Sequence, residues 1–311
     1  MARSFFPLNI PGRGGHTISG IVGLANNFSP QQSLEGTRPL IVILHGLRDH
    51  KNSETITGIE KELPPHFDTF RFDFSGNGDS EGETSYSDYP FQVEDLEIVI
   101  QFLETHDFCI PSLDQHCLEP CLEYIGRKLG CPVNPCFAFN LKVLIGHSKG
   151  GTVSMLFASR KTCRIPYIIN ISGRNDLREK SMHRFKPEQM HSVNEGEKIV
   201  WRTFTDSNDQ KRPIWVSTYD FIWRDEFQPD VFKAIRTNQS IKAVLTVHGT
   251  DDTVVPLKDA IAFDNCFPKN SIHTLKVLNG FSHMFLRDGE MKGLTFAINN
   301  WLLDRNLVSH L

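Results

Sequence analysis

The chain has 311 residues, 39% hydrophobic and 23% charged, and its 33 basic against 37 acidic side chains leave a net charge of −4. That is long enough for one large domain, or one with an inserted cap, and with no long run of either sign it offers no footprint for nucleic acid or an anionic membrane. The apolar runs fall short of the roughly 20 residues that span a bilayer, and Met1-Ala2-Arg3-Ser4-Phe5-Phe6-Pro7 lacks the apolar core of a secretory signal, so a cytoplasmic location is expected.

Residues 4–10 and 16–25 are apolar-leaning around Gly12-Arg13-Gly14-Gly15 and suit an opening β-hairpin. No Lys-Ser or Lys-Thr follows those glycines, so they do not read as a phosphate loop. Residues 28–38 read as a surface loop. Pro39 to Gly46 is a continuous apolar run ending in His45-Gly46, the pattern of a buried parallel strand whose carboxyl end faces a site. A short helix is expected over 53–63 and a strand over 70–74. Ser75 to Gly82 nearly matches a dinucleotide fingerprint, but Gly82 comes one position late and no strongly apolar helix opens at Gly78, so a tight structural turn is expected instead. Val93, Leu96, Ile100 and Leu103 recur at helical spacing within 88–105.

Five of the seven cysteines fall between Cys109 and Cys136, at spacings that match no zinc ribbon or finger although His106 and His116 lie nearby. Reduced thiols in an insertion over about 106–140 are expected, with a helix through Leu118, Leu122, Ile125 and Leu129 broken near Pro120. Leu141 to Ile145 is then a strand that stops at Gly146, presents Ser148 and passes into a helix over 150–160. Residues 166–173 form another strand. Residues 174–240 have no strand-like apolar run but many charges and aromatics, and are expected to form a small helical cap inserted between strands.

Strand 241–247 leads to His248-Gly249-Thr250-Asp251-Asp252-Thr253-Val254-Val255-Pro256, a helix follows over 256–265, and strand 272–278 leads to a loop holding His283 and a closing helix over 288–303. Strands alternating with helices give an α/β fold, a doubly wound and mostly parallel sheet led by two or three antiparallel strands. Residues 1–173 and 241–311 would form its core and 174–240 the cap.

In such a sheet, sites form at the carboxyl ends of strands, and those ends carry His45-Gly46, Ser148, Asp252 and His283. Gly146-x-Ser148-x-Gly150 has the spacing of a nucleophile elbow: a serine hydroxyl must stand clear of the backbone on a sharp turn, with small residues on either side. A serine hydrolase further needs an imidazole, an orienting carboxylate and donors for an oxyanion. Ser148, Asp252 and His283 come in the order expected on this topology, although the neighbouring Asp251 could also supply the carboxylate.

His45-Gly46, Asp73-x-x-Gly76-x-Gly78-x-Ser80, Gly146-His147-Ser148-Lys149-Gly150-Gly151, His248-Gly249-x-x-Asp252-x-x-Val255-Pro256 and Gly280-x-x-His283 together resemble an α/β-hydrolase. The similarity is greatest to compact serine esterases and S33/S9-like acyl hydrolases that include the cinnamoyl (feruloyl) esterases. The resemblance implies that Ser148 is the nucleophile, His283 the base and later the acid, and Asp252 the orienting carboxylate, preferred over Asp251 because it stands three residues before Val255-Pro256. It also implies that the backbone N–H groups of Leu47 and Lys149 form the oxyanion hole.

By the same resemblance, His45 shapes the turn beneath Leu47. His248 packs or hydrogen-bonds locally, and His147 points away from the reaction. The Lys149 ammonium would either favour an anionic leaving group or lie in solvent. The expected activity is hydrolysis of a small-molecule carboxylic ester or thioester through an acyl-enzyme, with no metal and no organic cofactor. An acyltransferase or a serine peptidase could use the same triad, whereas a non-catalytic binding protein would usually have lost one of its members. Ser309-His310-Leu311 is a variant of the S-K-L peroxisomal address and offers a second location.

Overall fold

The structure is a computed structural model and describes residues 3–25, 37–106, 108–109, 136–178, 184–206, 209–268 and 271–307. The strand Thr37–Leu44 (β3) shows how the sequence builds its layers. Leu40, Val42 and Leu44 enter one apolar cluster, and the intervening Ile41 and Ile43 enter another on the opposite face. A strand apolar on both faces has to lie inside a sheet covered on both sides.

Arg3–Pro11 (β1) and Thr17–Ala25 (β2) form the expected antiparallel hairpin, with left-handed Gly14 (φ 66) and Gly15 (φ 82) in the turn. Asp68–Phe72 (β4) pairs antiparallel with β2 and parallel with β3. After it come Thr84–Ser85 (β5), Phe108–Cys109 (β6), Cys136–His147 (β7) and Tyr167–Ile171 (β8). Ile199–Thr205 (β9), Lys211–Val216 (β10), Ala243–Gly249 (β11) and His273–Leu278 (β12) complete the series. The main sheet has the order β1-β2-β4-β3-β7-β8-β11-β12, parallel from β4 onward.

Glu54–Glu62 (α1) and Glu290–Leu303 (α7) cover one face through Ile56, Ile59, Leu294, Ile298 and Trp301. The other face is covered by Tyr89–Thr105 (α2), Lys149–Ala158 (α3) and Leu257–Asn265 (α6), through Val93, Leu96, Val153, Met155 and Phe263. Among the described residues no helix is long and apolar enough to cross a membrane.

Two segments differ from the sequence expectation. β7 starts at Cys136, inside the stretch assigned to the cysteine-bearing insertion, because Phe137 and Phe139 alternate and pack with Phe108 of β6, at 4.7 Å between the Phe108 and Phe139 ring centres. The helix expected through Leu118 to Leu129, His116 and Ser309-His310-Leu311 all lie outside the described residues.

Between β8 and β11 the chain forms the helices Pro187–Asn194 (α4) and Thr218–Glu226 (α5) and a 3₁₀ stretch over Pro229–Thr237. It also contains the antiparallel ribbon β9–β10, which an all-helical cap would lack. β10 adds β5 as a parallel neighbour, so the small sheet is tied to the loop after β4. No long apolar run was needed, because only Trp201 and Phe204 of β9 are buried. They enter a separate aromatic cluster whose hub is Tyr86, with ring centres 5.0 Å from Phe185 and 4.9 Å from Trp201.

Candidate active site

Ser148 sits between β7 and α3 at φ 55, ψ −117, a left-handed position that a serine holds only when its surroundings enforce it. The glycines around it explain how. A Cβ on Gly146 would lie 2.2 Å from the Gly150 carbonyl oxygen, and one on Gly150 would lie 2.5 Å from that of His45. The elbow therefore folds against itself and against the end of β3, where only glycine backbone fits. The Gly46 backbone is equally close, since a Cβ there would lie 3.1 Å from Ser148 Cβ.

The Ser148 hydroxyl meets His283 Nε2 at 2.9 Å, and His283 Nδ1 meets Asp252 Oδ2 at 2.7 Å. An ionised carboxylate only accepts, so His283 carries its proton on Nδ1 and turns the Nε2 lone pair to the serine O–H. Burial alone would raise the Asp252 carboxyl. The hydrogen bonds from His283 and from the amides of Val255 and Val254 outweigh it and hold the group below its ordinary value, so it stays ionised. Asp251 is exposed and faces Arg287 at 3.3 Å. Of the two neighbouring acids, Asp252 is the one the fold brings to His283.

The other histidines are structural in their contacts. His45 donates from Nδ1 to the Gly46 carbonyl at 2.8 Å and accepts the Phe74 amide on Nε2 at 3.1 Å, which fixes it as a neutral imidazole under the Gly46-Leu47 turn. His248 Nε2 donates to the Val255 carbonyl at 2.9 Å and lies 3.4 Å from Asp252 Oδ2, behind the carboxylate. His147 donates from Nε2 to the backbone carbonyl of His283 at 2.8 Å; burial, and then the nearby His283, push its pKa down to about 4.

Lys149 corrects one expectation. Its ammonium is not in solvent: it is buried, bonded to Asp88, 3.4 Å from the Ser85 carbonyl and 5.0 Å from the centre of the Tyr89 ring. Asp88 also accepts from Thr84 Oγ1 and the Ser85 amide, so the pair clamps the β5 loop onto the start of α3. The Asp73 to Ser80 segment is a structural turn. Gly78 (φ 48) packs so tightly that a Cβ would lie 2.2 Å from Asp73 Oδ2, and Lys51 bridges Asp73 and Asp79 at 2.5 Å each.

Ser148 and His283 open onto a cavity of about 440 Å³ that Leu47 and Lys149, the two expected amide donors, also border. Its lining also includes Trp201, one of the aromatics of the segment between β8 and β11, together with Tyr86, Tyr89, Arg184 and Arg224, which the sequence did not single out.

No family model matches the chain, and no curated protein sequence matches it. Solved structures do. Est1E from Butyrivibrio proteoclasticus aligns with a TM-score of 0.62 at 17% identity, over 97% of this chain and 99% of its own, and was also solved with ferulic acid bound. An α/β serine hydrolase homologue from Coxiella burnetii aligns at 0.55 and 18%, over 96% and 97% of the two chains. Mouse alpha/beta hydrolase domain-containing protein 10 aligns at 0.56 and 15%, over 97% and 99%. Low identity with near-complete coverage means a shared backbone rather than shared side chains. The chain has the α/β-hydrolase fold.

Proposed function

We propose that the protein is a serine hydrolase that cleaves a carboxylic ester or thioester through an acyl-enzyme. The observation that carries this reading is the unbroken relay Ser148 Oγ–His283 Nε2 and His283 Nδ1–Asp252 Oδ2, at 2.9 and 2.7 Å, at the edge of a cavity. The similarity in fold to the esterase Est1E agrees with it.

In the first step Ser148 Oγ attacks the carbonyl carbon while its proton passes to His283 Nε2. The oxyanion is met by the amides of Leu47 and Lys149, the latter at the N-terminus of α3, where the helix dipole favours negative charge. Asp252 stays ionised and balances the imidazolium. As the intermediate collapses, the carbonyl carbon's bond to the leaving oxygen or sulfur breaks, and that atom takes the proton from His283 Nε2.

Deacylation runs the same steps with water. His283 takes a proton from the water as it attacks the acyl carbon, then returns a proton to Ser148 Oγ as the acid departs. Turnover of a short p-nitrophenyl ester tests the reading. Ser148→Ala and His283→Ala should each lower kcat on the order of 10⁴-fold or more, whereas retained turnover in either variant would place the chemistry elsewhere.

A further inference from the structure

The cavity beside Ser148 is markedly cationic. Arg48, Arg174, Arg184, Arg202 and Arg224 border it, as does Lys149, against Asp49 as the one acidic residue in its lining. Lys149 is neutralised by Asp88. Among the described residues, Arg48, Arg184, Arg202 and Arg224 form no ion pair with a carboxylate.

Arg224 makes the case sharpest, because its side chain is buried, 4% exposed. It donates to Ser87 Oγ at 2.5 Å and to the Leu177 carbonyl at 2.8 Å, and lies over the Tyr86 ring at 4.4 Å. All of these acceptors are neutral, and its Nη2 group bonds to no described protein atom. A guanidinium withdrawn from water with no counter-charge is costly, and a bound anion would relieve that cost. Arg184 stands near enough to Arg174 and Arg224 for both to act on its charge. Its own carbonyl accepts the Trp201 indole N–H at 3.1 Å, which anchors its segment in the wall. These three arginines come from separate segments, after β8, before α4 and within α5, and Arg184 and Arg224 converge beside Tyr86 and Tyr89. Like charges gathered in a half-enclosed site repel unless an anion lies among them, and arginine forks fit carboxylate and phosphate oxygens.

We propose that the substrate carries an anionic group, a carboxylate or a phosphate, which Arg184 and Arg224 seat in the cavity while the scissile carbonyl lies at Ser148. This rests on the hydrolase reading above and narrows its substrate class to negatively charged esters or thioesters. A cavity of about 440 Å³ has room for both ends of such a molecule.

Two measurements test the proposal, and one of them is independent of catalysis. In the first, Ser148→Ala protein is titrated with glutarate and, separately, with inorganic phosphate, while Trp201 fluorescence is followed and checked against a Trp201→Phe control. Saturable binding of either anion, weakened about tenfold or more by Arg184→Gln and recovered in part by Arg184→Lys, is expected. The anion that binds identifies the source, carboxylate or phosphate. No saturation with either anion, or equal binding by Arg184→Gln protein of unchanged melting temperature, overturns the proposal whether or not the protein is a hydrolase.

The second measurement compares kcat/KM for mono-p-nitrophenyl glutarate with p-nitrophenyl butyrate, and for butyryl-phosphopantetheine with butyryl-pantetheine. A preference on the order of tenfold or more for the anionic member of one pair is expected, carried mainly by KM and collapsing in Arg184→Gln. Equal use of neutral and anionic members in both pairs contradicts the anion site while leaving the hydrolase reading intact.

Discussion

His147 Nε2 donates to the backbone carbonyl of His283 at 2.8 Å, so the residue before the elbow serine holds the loop that carries the imidazole. The same loop is pinned from its far side by Glu290, which accepts the Ser282 amide and hydroxyl, each at 2.6 Å. The Ser148–His283 distance is thus set by a hydrogen bond between the end of β7 and the loop that carries His283, not by the two side chains alone. Replacing His147 with Ala should loosen His283 and lower kcat about tenfold or more, with KM for a short ester little changed. Steady-state kinetics on folded protein decide it: an unaltered kcat would show that the loop needs no such anchor.

The two neighbouring acids should separate cleanly. Asp252→Asn keeps the shape of the side chain but removes the charge that orients and balances His283, and a loss in kcat on the order of 10³- to 10⁴-fold is expected. Asp251 is exposed, and its carboxylate bonds to Thr250 and Arg287 alone among the described residues. Asp251→Asn should stay within about twofold of the parent. A reversed pattern in the two pH 7 rate measurements would move the orienting carboxylate by one residue.

Lys149 and Asp88 form a buried pair one residue from the serine. Lys149→Met should destabilise the fold by about 3–5 kcal/mol, because it strands the Asp88 charge, while Asp88→Asn added to it should recover much of the loss. Urea unfolding of the single and double variants reads this directly, and a double variant no more stable than Lys149→Met would deny the coupling. Since the pair also clamps the segment bearing Tyr86 and Tyr89, the single variant should raise KM as well.

Acid should weaken the fold through buried neutral histidines. His147 is held down to about 4 by burial and by His283, against an unfolded value of 6.5, so between those limits the unfolded chain binds more protons than the native one. Stability must then fall as pH drops from 6.5 toward 4, by about 3 kcal/mol from this group alone. His45 and His248, also lowered by burial, act in the same direction. Asp95, raised to about 6 by burial, opposes them, because it holds a proton in the native state that the unfolded chain gives up above 3.8. Denaturation midpoints from pH 7 to pH 4.5 should decline, and His147→Asn should flatten the decline. An identical slope in that variant would remove His147 from the account.

The core was legible because its constraints are local. Strand β3 announces two buried faces by its apolar run, and the strand ends before Ser148 and Asp252 are flagged by glycines that close packing requires, Gly146 and Gly249. What lay between β8 and β11 was not legible as strand. β9 buries only Trp201 and Phe204, and its ribbon gains a third strand through β5, more than a hundred residues earlier in the chain. Lys149 was misplaced for a related reason: sequence shows a charged side chain after the serine, but its buried partner Asp88 is supplied by the loop after β5. The arginine wall is the extreme case, since Arg174, Arg184 and Arg224 lie in three separate segments and acquire meaning only when the fold brings them together.

The central claim is that Ser148 is a nucleophile activated by His283. Intact-protein and peptide mass spectrometry after incubation with a fluorophosphonate tests it most directly. A single stoichiometric adduct on Ser148 is expected, absent in Ser148→Ala and formed far more slowly in His283→Ala. Folded protein that takes up no label, or takes it up at another residue, would contradict the claim.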